Sequence, residues 1–181
     1  MTKLIVHGIG TSRTFRVHWA LAELGLAYRT VPVVTRTADT ESAEFGMLNP
    51  RRKIPVLVDG ALVVAESPAI VTYLGERYRD GETVLVPGSV NERARYHEWM
   101  SFICMELDAT SLYVLRRHAD LTEIYGAAPA AVSAASEYFA RMIAAAADLY
   151  ADDAPFLLGN QFSSVDIVMM TCLDWAARYQ E

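Results

Sequence analysis

Residues 53 to 68, Lys-Ile-Pro-Val-Leu-Val-Asp-Gly-Ala-Leu-Val-Val-Ala-Glu-Ser-Pro, constrain the fold more than any other stretch of the chain. Two apolar runs, Val56-Leu57-Val58 and Leu62-Val63-Val64, are rich in β-branched residues, and Asp59-Gly60 between them suits the positive φ angles of a tight turn. The pattern predicts a β-hairpin. Ser67-Pro68 followed by Ile70, Val71 and Leu74 predicts a helix fed directly by that hairpin, with Ser67 as N-cap and Pro68 at the first helical position. A helix start of this kind presents unpaired backbone N–H groups and a positive dipole end, so it suits a carboxylate or a phosphate. Ile54-Pro55 stands just ahead of the first hairpin strand, where a cis bond turning the chain is expected. Singly, each of these features is usually only structural; their combination in one stretch points to a binding site.

The surrounding chain supplies a consistent frame. Lys3 to His7 reads as a buried first strand, Gly8 to Ser12 as a loop, and Phe15, Val17, Ala20, Leu21 and Leu24 fall at helical spacing up to Gly25. Thr11 or Ser12 would cap that helix. Tyr28 to Val34 is strand-like, and Pro32 suggests an edge or a strand end. Residues 35 to 50 read as a loop with one short helix near Glu41 to Met47, and the helix from Ser67 runs to about Tyr78. The order is β, α, β, short α, β, β, α over residues 1–79, followed by a linker at 80–90 and an all-helical region at 91–181. In the latter, one long helical segment spans Asn91 to about His118, and Gly126 and Pro129 break the chain. An alanine-rich helix then spans Ala130 to Tyr150, with Val132, Phe139, Met142, Ile143 and Leu149 available for its buried face. Ser163 and Asp166 form a capping box, and Phe162 with Ile167 a hydrophobic staple, ahead of a last helix to Tyr179.

Composition narrows the function. With 181 residues and 52% hydrophobic content the chain can build a core without staples, and its net charge of −6 argues against nucleic acid or an anionic membrane as partner. Cys104 and Cys172 form no Cys-x-x-Cys and have no paired Cys/His spacing, so neither a redox dithiol nor a metal site is expected. A basic leader and a long apolar run are both missing from the pattern, which makes a soluble cytoplasmic protein the expectation.

Four motifs in order carry a resemblance: Ser12-Arg13-Thr14-Phe15-Arg16-Val17, Asn49-Pro50 with Lys53-Ile54-Pro55-Val56-Leu57, Glu66-Ser67, and the Ser163/Asp166 cap. Together with the βαβ–ββα order and the helical second half, they resemble the cytosolic glutathione transferases, in a bacterial, serine-type form. The resemblance implies a thioredoxin-like α/β first domain with a cis Ile54-Pro55 bond, an all-α second domain, a homodimer, and glutathione as co-substrate with no metal. It implies that Ile54 offers its backbone to the cysteinyl part of glutathione beside Pro55. Glu66 and Ser67 would hold the γ-glutamyl end, and Lys53 would meet the glycyl carboxylate.

The chemistry requires a thiolate. A free thiol titrates near pH ~8.5, and lowering that by about two units takes roughly 2.7 kcal/mol of preferential stabilisation, within reach of one hydroxyl donor and a helix start. The donor position in serine-type members falls on Thr11 or on Ser12 beside it, and the run from Ser12 to Arg16 favours Ser12. His7 and Tyr28 are weaker candidates because both lie in predicted strands. Ile9, Tyr96, Met100 and Cys104 are candidate walls of a pocket for a hydrophobic electrophile, as in a detoxification enzyme. Glutathione-dependent isomerisation, dehalogenation or peroxide reduction would use the same thiolate, and a non-catalytic binding or regulatory protein could keep the fold. Two departures from the family stand out. Arg51-Arg52 replaces the usual residue followed by glycine, and the resemblance implies a helical domain longer than this chain provides.

Overall fold

Short β-branched runs pair into one sheet because each is too short to bury its apolar side chains alone. The computed structural model describes residues 4–79, 83–150 and 154–179. Its strands β1 (Leu4–His7), β2 (Tyr28–Val31), β3 (Val56–Asp59) and β4 (Leu62–Ala65) lie in the order β2-β1-β3-β4. β1 runs parallel to β2 through helix α1 (Ser12–Glu23) and antiparallel to β3, which is antiparallel to β4. Leu4, Val6, Val56 and Leu57 of the two central strands are buried. Pro32 falls just beyond the end of edge strand β2, where no ladder hydrogen bond is lost. This is the thioredoxin-like α/β domain anticipated above.

Three local expectations are corrected. Asp59 pairs with Leu62, so the hairpin turn is Gly60-Ala61 and of the pair Asp59-Gly60 only Gly60 has a positive φ, at 62°. Asp59 is held in the strand by its carboxylate, which accepts the Tyr73 hydroxyl at 2.8 Å and the Tyr78 hydroxyl at 2.6 Å. Burial, and then the bond to Asp59, raise both phenols, Tyr78 to about 12. The single helix expected near Glu41 to Met47 is two, α2 (Ala38–Glu41) and α3 (Ala43–Leu48). Ser42 divides them because it leaves helical geometry, at ψ 149°, to accept the Phe45 N–H at 3.1 Å. Phe45 packs with Val33, Ile54 and Val56. Finally, helix α4 (Ser67–Arg77) begins one residue earlier than expected, at Ser67 itself, as detailed below.

Arg52 adopts the left-handed φ of 53° at the position where the family pattern has glycine. Its guanidinium donates to the carbonyls of Thr40 at 2.9 Å and Ser42 at 3.0 Å, around the end of α2. Gly46 makes the room: a Cβ there would lie 2.8 Å from Arg52 Nη2.

The chain divides into two compact units, Met1–Val86 and Pro87–Glu181. In the second, α5 (Val90–Phe102) starts with a Ser89/Glu92 capping box and continues as a π-helical stretch, Ile103–Leu112. α6 (Tyr113–Leu115) and a second π stretch, Arg116–Asp120, follow. The long helical segment expected from Asn91 to about His118 is therefore wide-turned over much of its length. Ser111 illustrates the wider turn, its hydroxyl bonding the Glu106 carbonyl five residues back at 2.8 Å. After α7 (Thr122–Tyr125), Gly126 at φ 79° turns the chain into α8 (Pro129–Leu149). The small residues Ala135 and Ala146 of α8 are buried, whereas Leu149, expected on the buried face, is 75% exposed at the helix end. Helix α9 (Ser164–Ala177) carries the expected capping box: the Asp166 carboxylate accepts the Ser163 N–H at 2.8 Å and hydroxyl at 2.9 Å. Its other oxygen accepts the Leu157 N–H at 2.8 Å. No described helix is long and apolar enough to cross a membrane.

Candidate functional site

Strand register decides which loops meet. His7 stands opposite Val56, and Val56 opposite Ala65, so Gly8, Pro55 and Glu66 leave the sheet at the same end. All of the first-unit site residues expected from sequence follow or precede these three exits.

At the β1 exit, Gly8 has φ 125° and donates its N–H to the Val31 carbonyl at 3.0 Å. A Cβ on Gly8 would lie 2.7 Å from Ile54 Cβ and 2.9 Å from Thr14 Cγ2, so only glycine allows this loop to approach the Ile54 loop. Thr11 is the N-cap of α1: its hydroxyl oxygen accepts the Thr14 N–H at 3.0 Å and the Thr14 hydroxyl oxygen accepts the Thr11 N–H at 3.0 Å. Ser12 is the first helical residue and half-buried, and its hydroxyl meets no hydrogen-bonding group among the described residues. Of the weaker donors, Tyr28 has its hydroxyl 2.9 Å from His18 Nδ1. His7 faces the Phe45 ring; burial and then Arg29 lower its pKa against an opposing effect of Glu44.

At the β3 exit the Ile54-Pro55 bond is cis. Buried Asn49 holds this loop, donating to the Lys53 carbonyl at 2.8 Å and accepting the Arg51 N–H at 3.2 Å. Lys53 itself is exposed. Ile54 is buried, and its backbone N–H and C=O find no backbone partner among the described residues.

At the β4 exit, Glu66 and not Ser67 is the N-cap residue of α4, because the Glu66 carbonyl accepts the Ile70 N–H at 3.0 Å. Glu66 has φ 71° and makes no side-chain cap bond; Pro68 is the second helical residue. Ser67, buried at 2% exposure, instead accepts a hydrogen bond from Arg16 Nη1 at 3.3 Å. Arg16 is itself 1% exposed. Sequence reasoning named Arg16 only as part of a motif and missed this role. The signal was available, since Arg16 lies beside Val17, Ala20 and Leu21 on the buried stripe of α1. The Glu66 carboxylate pairs with Arg51 at 3.1 Å, both groups well exposed. A buried guanidinium, a hydroxyl and a helix start without a side-chain cap together form an acceptor for a carboxylate.

The four candidate wall residues differ in exposure. Ile9 is half-buried in the first unit. Tyr96 is fully buried in the second, its hydroxyl 2.8 Å from Ser164 Oγ, which makes it a packing tie between α5 and α9 instead of an open wall. Met100 is 8% exposed and Cys104 partly exposed. Among the described residues no group of three or more His, Cys, Asp or Glu is arranged to hold a metal.

Comparison with known proteins gives this arrangement a family context. Residues 2–76 match the family model for the glutathione S-transferase N-terminal domain. Glutathione S-transferase Z1 of Arabidopsis thaliana is 38% identical over 93 residues, covering 51% of this chain and 41% of that protein. The chain thus matches about two fifths of the length of such curated relatives, 41% for Arabidopsis glutathione S-transferase F10 as well. Among solved structures, the theta class glutathione S-transferase from the citrus canker pathogen Xanthomonas axonopodis pv. citri, with glutathione bound, aligns at TM-score 0.77 and 26% identity. That alignment covers 98% of this chain and 92% of the other. The glutathione transferase URE2P8 from Phanerochaete chrysosporium shares the fold at TM-score 0.84 and 22% identity, over 99% and 81% of the two chains.

Proposed function

We propose that this chain, which belongs to the cytosolic glutathione transferase family, binds glutathione in its first unit and activates the thiol for attack on an electrophilic, mostly apolar small molecule. The observation that carries the reading is the buried contact between Arg16 and Ser67 at a helix start that has no side-chain cap. In this reading Ser67, Arg16 and the first N–H groups of α4 take the α-carboxylate of the γ-glutamyl end. Glu66, in exchange for Arg51, takes its ammonium group. The Ile54 backbone beside cis-Pro55 pairs with the cysteinyl unit as an added strand would, and Lys53 meets the glycyl carboxylate.

That pose directs the thiol towards the start of α1. The Thr11 hydroxyl is committed to its own cap, which favours Ser12 as the donor to the thiolate and so a serine-type mechanism. Ile9 remains the proposed contribution of the first unit to electrophile binding. The setting that fits this chemistry is a cytoplasmic homodimer serving detoxification; sedimentation as a monomer at micromolar concentration would count against the dimer.

The primary test is calorimetric titration of the full chain with glutathione, paired with ultraviolet detection of the bound thiolate across pH. Saturable binding with a thiol pKa below that of free glutathione is expected. Absence of binding removes the proposal, and binding with an unshifted thiol reduces the protein to a carrier.

A further inference from the structure

His18 has no part in the chemistry above, yet both of its ring nitrogens are engaged. Nε2 lies 3.1 Å from the Gly8 carbonyl oxygen, and Nδ1 lies 2.9 Å from the Tyr28 hydroxyl, with the two rings 5.6 Å apart. A carbonyl oxygen can only accept, so Nε2 carries the proton. In the neutral ring Nδ1 is then an acceptor, and the Tyr28 hydroxyl donates to it. Each bond therefore has a fixed direction, and the second selects the tautomer that makes the first.

What His18 holds is the residue that can least afford to move. Gly8 sits at φ 125°, with its N–H on Val31 and with Ile54 and Thr14 so close that no Cβ fits. One residue on, the Ile9 N–H donates to the Val33 carbonyl at 3.1 Å, so the His18 bond to the Gly8 carbonyl adds to the N–H holds of Gly8 and Ile9 ahead of Gly10, Thr11 and Ser12. We propose that His18 is a positioning residue: as the Nε2–H tautomer fixed by Tyr28, it clamps the Gly8 carbonyl and so fixes the loop that delivers Thr11 and Ser12. The consequence for turnover rests on the reading in the preceding section; the clamp itself does not.

Amide side chains separate the two bonds. A glutamine places its N–H near the reach of Nε2 and an asparagine near that of Nδ1, so His18→Gln keeps the donor to Gly8 while His18→Asn loses it. Hydrogen exchange at the amides of residues 9–12 should quicken about tenfold or more in His18→Asn and stay within about threefold of wild type in His18→Gln. With glutathione and a standard electrophile, kcat should fall about 10- to 100-fold in His18→Asn, with KM for glutathione within about twofold and His18→Gln largely rescued. Nitrogen chemical shifts of His18 should report the Nε2–H tautomer in wild type and a mixture in Tyr28→Phe, which also loosens the loop and stands in if His18→Asn does not fold. Equal behaviour of the glutamine and asparagine variants would reduce His18 to ring packing, and unchanged loop exchange in both His18→Asn and Tyr28→Phe would overturn the clamp. A wild-type protein that does not turn over glutathione would sink the transferase reading alone, since exchange and tautomer still decide the clamp.

Discussion

Two helices begin at the same end of the sheet, α1 after β1 and α4 after β4, and they treat their first turns in opposite ways. Thr11 and Thr14 close α1 on itself through reciprocal bonds between their hydroxyls and backbone N–H groups. α4 starts from Glu66 at φ 71° with no side-chain cap, and the hydroxyl that could have capped it faces Arg16. A sealed helix start holds a loop still; an unsealed one, with a buried guanidinium behind it, retains its N–H groups and dipole for a ligand. On the proposed reading, stability and recognition fall to different helix starts at the same end of the sheet.

The largest expected effect comes from disturbing what the two ends share. Gly8→Ala forces a Cβ into a 2.7 Å approach to Ile54 Cβ in a backbone conformation that alanine resists. A loss of about 2–4 kcal/mol in denaturant unfolding is expected. An unchanged midpoint would mean that the β1 and β3 exits are not in tight register.

Crossed substitutions sharpen the contrast. Ser67→Ala should weaken glutathione binding by about 1–2 kcal/mol in calorimetry while changing unfolding less, because Ser67 is not a cap. Thr11→Ala should do the reverse, losing about 1 kcal/mol of stability with affinity intact. If the two variants exchange these signatures, the assignment of the helix ends is wrong.

A smaller and more local effect is expected from Ser12→Ala. The pH at which kcat/KM rises should move upward with glutathione affinity nearly unchanged, while Thr11→Ala leaves that pH alone. A shift in Thr11→Ala only would transfer the role to Thr11. No shift in either would leave the backbone N–H groups of α1 as the activating donors.

The least effect lies at the far end of α4, where Tyr73 and Tyr78 donate to Asp59. Burial and the Asp59 contact raise the Tyr78 phenol from 10.0 to about 12, so the fold favours the protonated form. Its contribution to stability is complete below pH 10 and is lost as pH climbs towards 12. Asp59→Asn should bring phenolate formation to lower pH in a spectrophotometric titration; an unmoved curve would assign the shift to burial alone.

Much of this organisation was legible in the sequence, and the misses have physical causes. Two apolar runs rich in β-branched residues and a glycine between them marked the hairpin, but Asp59-Gly60 and Gly60-Ala61 are equivalent turns until the Tyr73 and Tyr78 hydroxyls reach Asp59. Ser67-Pro68 has the local chemistry of a cap. The displacement of that cap to Glu66 depends on a left-handed Glu66 backbone, which nothing in its residue type announces. Arg16 sits on the readable buried stripe of α1, but the ordinary rule that charges face water argued against its burial, and the Ser67 hydroxyl that it meets is distant in sequence. The π-helical stretches escaped for a different reason, because apolar spacing hardly distinguishes a wide turn from an α turn over so few residues. By contrast, the Ser163/Asp166 box was readable because both of its bonds lie within four consecutive residues.

The Gly46–Arg52 contact bears on the order in which the chain can change. With Arg52 in place, Gly46→Ala sets a methyl 2.8 Å from a guanidinium nitrogen, and moving that group releases the carbonyls of Thr40 and Ser42. Once Arg52 has become glycine, a residue suited to its left-handed backbone, the same alanine meets no guanidinium. Both mutational routes release the carbonyls of Thr40 and Ser42, but only the one in which arginine departs first avoids the close methyl–guanidinium contact, so the two intermediates differ by that contact and by the relief of a left-handed arginine.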